Sequence, residues 1–154
     1  MSNLERAIEL ATEAHEGQTR FDGSPYINHP LRVMKFVAIQ GHSQRAQIVA
    51  VLHDTPEDNP EFPLDRIREE GFGDDVLTPL ELLTKGADIK GDDYFDIYIQ
   101  RLAVNACSRA VKKADLFDNL DLTGLPNPSL SRIQNIEKYG RALGYLARFP
   151  QIRV

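Results

Sequence analysis

The chain has 154 residues, 42% of them hydrophobic and 27% charged, and a formal net charge of -5. That length suffices to bury a core in one domain, residues 1–154, and the composition is that of an ordinary folded protein. The acidic balance argues against a general polyanion binder, since counterion release needs a basic surface, but it leaves room for a small anion at a local site. A single cysteine, Cys107, has no internal partner for a disulfide, which fits a reducing compartment. No apolar run approaches the ~20 residues of a membrane span, and acidic residues interrupt MSNLERAIELA where a signal peptide would be apolar. The expectation is a cytoplasmic protein that engages neither nucleic acid nor membrane.

In chain order, LERAIELATEAHEG places Leu4, Ala7, Ile8, Ala11 and Ala14 on one helical stripe that Gly17 ends. QTRFDGSPYINHP reads as an ordered loop with turn signals at Asp22-Gly23 and Ser24-Pro25. Pro30 suits the first turn of the next helix, LRVMKFVAIQ, which Gly41-His42 closes. SQRAQIVAVLHD follows, with Ser43 as N-cap and an apolar centre from Ile48 to Leu52. A helix apolar on all sides belongs in the middle of its domain. Pro56 is expected to stop it near Thr55, because proline disfavours helical geometry in the residue before it.

Beyond lie a short amphipathic helix in NPEFPLDRIREEGFG and another in DDVLTPLELLTKG, interrupted or begun at Pro79. DDYFDIYIQRLAVN sets Tyr94, Ile97, Tyr98, Arg101 and Leu102 at helical spacing. SRAVKKADLFDNLDL has Ala110, Val111, Ala114, Phe117 and Leu122 near one stripe. After LPNPS a last helix runs from about Leu130 to Leu146. No strand pattern, repeat or linker stands out. The fold class is all-α, a single bundle of roughly seven helices.

HDTPED, residues 53–58, puts a histidine and three carboxylates into six positions. His53 and Asp54 sit at the end of the most apolar helix and so emerge beside the core. His29 stands at a loop-helix junction, where the turn can aim an imidazole. Asp115 lies in the middle of a helix otherwise apolar on that side, where an unpaired charge is costly. These four form an N/O set without sulfur, suited to manganese, iron or magnesium rather than to a structural zinc site. Spacing alone leaves a metal site and ordinary roles both open: a cap or surface residue for His29, a hydrogen-bonded core histidine for His53, a plain helix-end carboxylate for Asp54.

Taken together, GQTRFDGSPYINHP, AVLHDTPEDNPEFPLDRIREEGFGDDV and VKKADLFDNL resemble, in order and spacing, the HD-domain hydrolases of the RelA/SpoT type. The likeness is greatest to the small stand-alone alarmone hydrolases and covers roughly residues 4–125. A bare HD dipeptide says little, whereas PYxxHP, LHDTxEDN and KxADxxDN in sequence are specific. The resemblance implies an all-helical HD fold and a manganese ion, or another divalent metal, held by His29, His53, Asp54 and Asp115. It implies that Glu57 and Asp58 orient and activate the attacking water. Arg20 matches the arginine that packs on the nucleobase, Asn119 the asparagine that contacts the nucleoside. Tyr139 falls where an aromatic stands near the phosphates, with a plain core role as the alternative. Lys113 is either a phosphate contact or the ordinary flank of its motif.

The implied activity is a metal-dependent guanosine-3′,5′-bis(diphosphate) 3′-pyrophosphohydrolase with a small nucleotide as its only implied partner. Oligomeric state stays open. The same fold on another nucleotide, or a regulatory module without turnover, is the alternative. This sequence departs from the pattern mainly on the ligand side. Phe21 replaces a second basic residue, Pro56 a β-branched one, Leu116 an arginine, and NLDL a segment that often carries arginine and threonine. With Phe21 in that place, the pocket is expected to be more apolar and less demanding of a highly charged nucleotide. No synthetase domain is expected within these 154 residues.

Overall fold

The computed structural model describes residues 3–154. Among them are nine α-helical segments, one π-helical segment and no strand; the one β-bridge, Thr19 with Pro25, is isolated. The elements are α1 (Leu4–Ala14), α2 (Asn28–Ile39), α3 (Gln44–Leu52), α4 (Thr55–Asp58), α5 (Leu64–Glu69) and α6 (Asp74–Leu83). A π-helical segment, Tyr94–Ile99, then runs into α7 (Gln100–Leu102), followed by α8 (Ala106–Leu120) and α9 (Leu130–Leu146). This is the all-α class that the hydrophobic periodicity predicts.

α3 is the hub. Ala46 and every residue from Ile48 to Leu52 are buried, and the helix packs against α1, α2, α6 and α8. Ser43 caps it, its hydroxyl accepting from the Ala46 amide at 3.3 Å. Truncating one of these side chains, as in Leu52→Ala, costs about 2–5 kcal/mol at such a site. The helix ends at Leu52 rather than near Thr55, with His53 as its C-cap. Pro56 has no N–H to offer the Leu52 carbonyl, so the chain breaks there and Pro56 enters the first turn of α4. Glu57 and Asp58 therefore occupy a short turn of their own instead of trailing from α3.

Three other expectations shift. Pro79 neither starts nor breaks α6 but lies inside it, and the carbonyl it cannot bond belongs to the exposed Asp75. The stretch expected as a plain helix at Tyr94 is π-helical for six residues. Phe117, expected in the apolar stripe of α8, is 50% exposed, while Asp118 beside it is buried. The Asp22-Gly23 turn forms as expected, with Gly23 at φ +82° and Asp22 Oδ1 accepting from the Ser24 amide and hydroxyl. Among the described residues no helix is long and apolar enough to cross a membrane.

Candidate functional site

Three segments bring His29, His53, Asp54 and Asp115 together at one point. The first turn of α2 aims His29, the end of α3 presents His53 and Asp54, and the middle of α8 presents Asp115. His29 Nε2 lies 3.0 Å from Asp115 Oδ1 and 3.4 Å from Asp54 Oδ2. His53 Nε2 lies 3.2 Å from Asp54 Oδ2 and 3.5 Å from Asp115 Oδ1. His29, His53 and Asp115 offer atoms that all fall within 4.8 Å of one another. Neighbouring ligands of an ion bound at about 2.1 Å stand about 3 Å apart, so these separations suit a shared divalent cation.

The imidazole tautomers make the same point. Nδ1 of His53 donates to the Ala50 carbonyl at 2.8 Å, and Nδ1 of His29 donates to Asp118 Oδ2 at 2.6 Å. Each neutral ring then turns a lone pair, on Nε2, toward carboxylate oxygens. The buried Nε2 of His53 has no hydrogen-bond partner. Lone pairs facing carboxylates need a proton or a metal between them. With no metal bound, burial pushes the His29 pKa down, but bonds to Asp115, Asp118 and Asp54 outweigh that and lift it to about 10. A divalent cation answers the same excess of negative charge, and the residues fit one.

A second layer holds these groups. Asp118 also accepts from Arg32 at 2.6 and 3.0 Å, and Arg20 Nη2 stands 3.5 Å from it. Burial opposes its charge, yet the bonds from His29 and Arg32 hold the carboxyl well below its ordinary range. Asp115 Oδ2 accepts from Lys112 Nζ at 2.7 Å and Asp115 Oδ1 from Asn119 Nδ2 at 2.6 Å. The Tyr26 hydroxyl donates to Asp54 Oδ2 at 2.8 Å. Hydrogen-bonded outer partners of this kind orient metal ligands and raise their basicity.

The point of convergence forms the floor of a cleft of about 480 Å³, within the usual range for a ligand site. Of the sequence-derived candidates, Arg20, His29, Asp54, Glu57, Asp58, Asp115, Asn119 and Tyr139 line it, and His53 lies buried just behind. Tyr139 also packs on the core and against Tyr94, 6.1 Å between ring centroids. Glu57 Oε2 accepts from the Lys85 amide at 2.8 Å, with Lys85 Nζ 3.6 Å from Oε1. Burial, reinforced by the charge of Asp54, raises the pKa of both Glu57 and Asp58.

Lys113 is the exception. It is absent from this cleft and lines another, on the far side of α8. Successive helical residues point about 100° apart, and residues two apart do not share a face. Lys112, three before Asp115, takes the position expected of Lys113. Spacing held that signal, as it did for Asp118, three residues after Asp115 on the same face.

Sequence reading also passes over the cleft's remaining cations. Lys85, Lys90, Lys112 and Lys138 stand on one side, Arg20 and Arg132 on the other, in a chain of net charge -5. Arg132, from α9, lies 3.6 Å from the Phe21 ring centroid and donates to the Asn119 carbonyl at 3.2 Å. Arg20 stands over the same ring at 4.7 Å. The expectation of a more apolar pocket at Phe21 is thereby corrected: α9 brings back a positive charge from over a hundred residues away.

An HD-domain family model matches residues 7–97. A probable GTP pyrophosphokinase of Mycobacterium leprae (strain TN) is 33% identical over 126 residues, 78% of this chain and 16% of that protein. The guanosine-3′,5′-bis(diphosphate) 3′-pyrophosphohydrolase of Aquifex aeolicus (strain VF5) is 41% identical over 87 residues, 56% of this chain and 12% of that one. The bifunctional (p)ppGpp synthase/hydrolase SpoT of Escherichia coli (strain K12) is 37% identical over 93 residues, covering 60% and 13%. The chain thus spans between 12% and 16% of these relatives' lengths. A solved metazoan ortholog of SpoT, described as hydrolysing ppGpp, superposes with a TM-score of 0.80 over 96% of this chain and 86% of its own. At 20% identity that likeness is one of fold. With more than half of its residues matched by the family model and its HD motif at the meeting point of α2, α3 and α8, the chain belongs to the HD-domain family, where it is homologous to the SpoT/RelA (p)ppGpp enzymes.

Proposed function

We propose that residues 1–154 act as one domain, a manganese-dependent phosphohydrolase that removes the 3′-pyrophosphate from guanosine 3′,5′-bis(diphosphate). The observation that carries this reading is the pair of Nε2 lone pairs, on His29 and His53, facing Asp54 and Asp115 at the floor of a cation-rich cleft. A bound divalent ion supplies a water of lowered pKa and polarises a phosphoryl oxygen. The donor set of two imidazoles and two carboxylates, without sulfur, supports manganese over zinc.

The chain's own groups divide the remaining work. Glu57 and Asp58, with carboxyl pKa values raised by burial, are the bases that take the water's proton. Lys112, neutralising Asp115 at 2.7 Å, keeps that carboxylate ionised and correctly turned. Arg20, Phe21, Asn119 and Arg132 form a planar, hydrogen-bonding end for a nucleoside. Lys85, Lys90 and Lys138 form a flexible positive end for phosphates. A nucleotide with charge at both ends of its sugar matches that polarity. The names of the Aquifex and Escherichia relatives support the same substrate.

The test is a release screen for phosphate and pyrophosphate across guanosine and adenosine nucleotides, with manganese and with chelator. Pyrophosphate released from the tetraphosphate in manganese and abolished by chelator is the expected result. Turnover only on other nucleotides would refute the substrate, and turnover untouched by chelator would refute the metal.

A further inference from the structure

The second cleft, where Lys113 lies, has a volume of about 350 Å³, at the small end for ligand sites. The end of α2, one face of α8 and the segment after α9 wall it. Arg109 and Lys113 stand one turn apart on α8, with Arg153 and His42 facing them. No aspartate or glutamate lines it, and among the described residues none of these four joins an ion pair. In a chain of net charge -5, unpaired cations converging on one hollow carry a cost that a bound anion relieves.

His42 stands within the reach of the same cations. Burial, then the charges of Lys113 and Arg153, hold His42 below its ordinary pKa. Its Nδ1 accepts from the Val154 amide at 3.3 Å, which leaves Nε2–H as a neutral donor. The floor is of another character: Ala110 and Leu146 are buried, and the half-buried Phe149 ring has the Arg109 guanidinium 4.8 Å from its centroid. A bare inorganic anion uses only the cations of such a site. A phosphate attached to a flat apolar ring uses both walls.

We infer that this hollow is a second anion site, separate from the metal cleft, and that it takes a nucleoside phosphate. The binding of GDP to protein stripped of metal and dialysed free of chelator, followed by calorimetry at low ionic strength, tests it. In the Arg20→Ala/Arg132→Ala variant, which weakens the metal cleft, GDP should still bind and should shift the NMR resonances of Ala110 and Phe149. In the Lys113→Glu/Arg153→Glu variant that binding should weaken about tenfold or more, as for the reversal of paired charges. Lys113→Gln/Arg153→Gln, a milder change at half-buried and exposed positions, should fall between, with far-UV circular dichroism unchanged. An unaltered isotherm after charge reversal, or no GDP binding at millimolar concentration in the cleft variant, overturns the site. Pyrophosphate binding without GDP binding overturns the nucleoside part.

Discussion

The two walls of the HD cleft are built on opposite principles. On the side of the proposed metal ligands, His29, His53 and Asp115 are 1%, 3% and 4% exposed, and each has a further polar atom fixed by a neighbour within 3 Å. On the ligand side Phe21 is 39% exposed, and Lys85, Lys90 and Lys138 reach in on flexible stems. The metal wall is over-determined: moving one group leaves another buried and unpaired. The ligand wall is more exposed, and a distant residue completes it: Arg132 of α9 stands over the Phe21 ring. Substitutions on the first wall should therefore abolish chemistry, and on the second should change affinity.

The sharpest break is His53→Ala. Removing one Nε2 donor from a set of four should eliminate bound manganese and turnover together, and elemental analysis of the purified variant checks it. Asp115→Ala should do the same and also unfold more readily, because Lys112 is left buried without its carboxylate. Loss of one partner from such a pair costs about 3–5 kcal/mol. Stoichiometric metal retained in both variants would show that the ligands are others.

Glu57 and Asp58 line the same cleft. A Glu57→Gln/Asp58→Asn variant should keep its metal while turnover falls about 10²- to 10⁴-fold, the range for a lost general base. The pH dependence has a definite sign. A base works ionised, so kcat/KM should fall as pH drops through carboxyl values that burial has raised above 4.5 and 3.8, and the variant should lose that limb. Stability moves the other way. A carboxyl with a raised folded pKa holds its proton more tightly in the folded chain, so folding gains as pH falls through that value and the charged forms cost stability at neutral pH. The double variant should consequently melt higher than wild type at pH 7 and no differently near pH 3.

Asp118 sharpens the comparison from outside the site. Asp118→Asn keeps the shape but removes the charge that receives His29 Nδ1–H and the Arg32 fork. Manganese affinity should drop about 10- to 100-fold, as for other partners of metal-bound histidines, and added metal should restore turnover. Unchanged affinity in a competition titration would demote Asp118 to a structural ion pair.

Legibility in the sequence divides along the same line. Periodicity exposed α3 as the hub because a helix apolar on all sides has one place to go, and its end carries His53 and Asp54. The register of α8 is less legible. Its apolar periodicity points to Phe117, which is half exposed, rather than to Asp118, which is buried. An i,i+3 rule applied from Asp115 in both directions picks out Lys112 and Asp118 at once. No local rule reaches Arg132, since its stack on Phe21 depends on how α9 packs along α8, a tertiary fact. The π-helical turn at Tyr94 is similarly invisible to a helical period.

The smallest expected effect lies in that stack. Phe21 holds Arg132 at 3.6 Å and Arg20 at 4.7 Å from its ring, an arrangement that places two guanidinium groups at the end of the cleft proposed above for the nucleoside. Arg132 is also fixed through its bond to the Asn119 carbonyl, while burial lowers its pKa and so marks it as partly desolvated. A cation on an aromatic face contributes about 0.5–2 kcal/mol, so Arg132→Ala should raise KM about 2- to 30-fold with kcat nearly unchanged, the pattern of lost uniform binding. Arg20→Ala should behave alike. Because both guanidinium groups share one ring, Phe21→Ala should reproduce much of either loss, and the Phe21→Ala/Arg132→Ala pair should cost less than the sum of its parts. Phe21→Lys is the discriminating variant. If position 21 simply lacks a positive charge, the lysine lowers KM for the tetraphosphate. If the ring is the platform that holds two charges in place, a third cation beside them raises it, and the rise should shrink when Arg132 is already alanine.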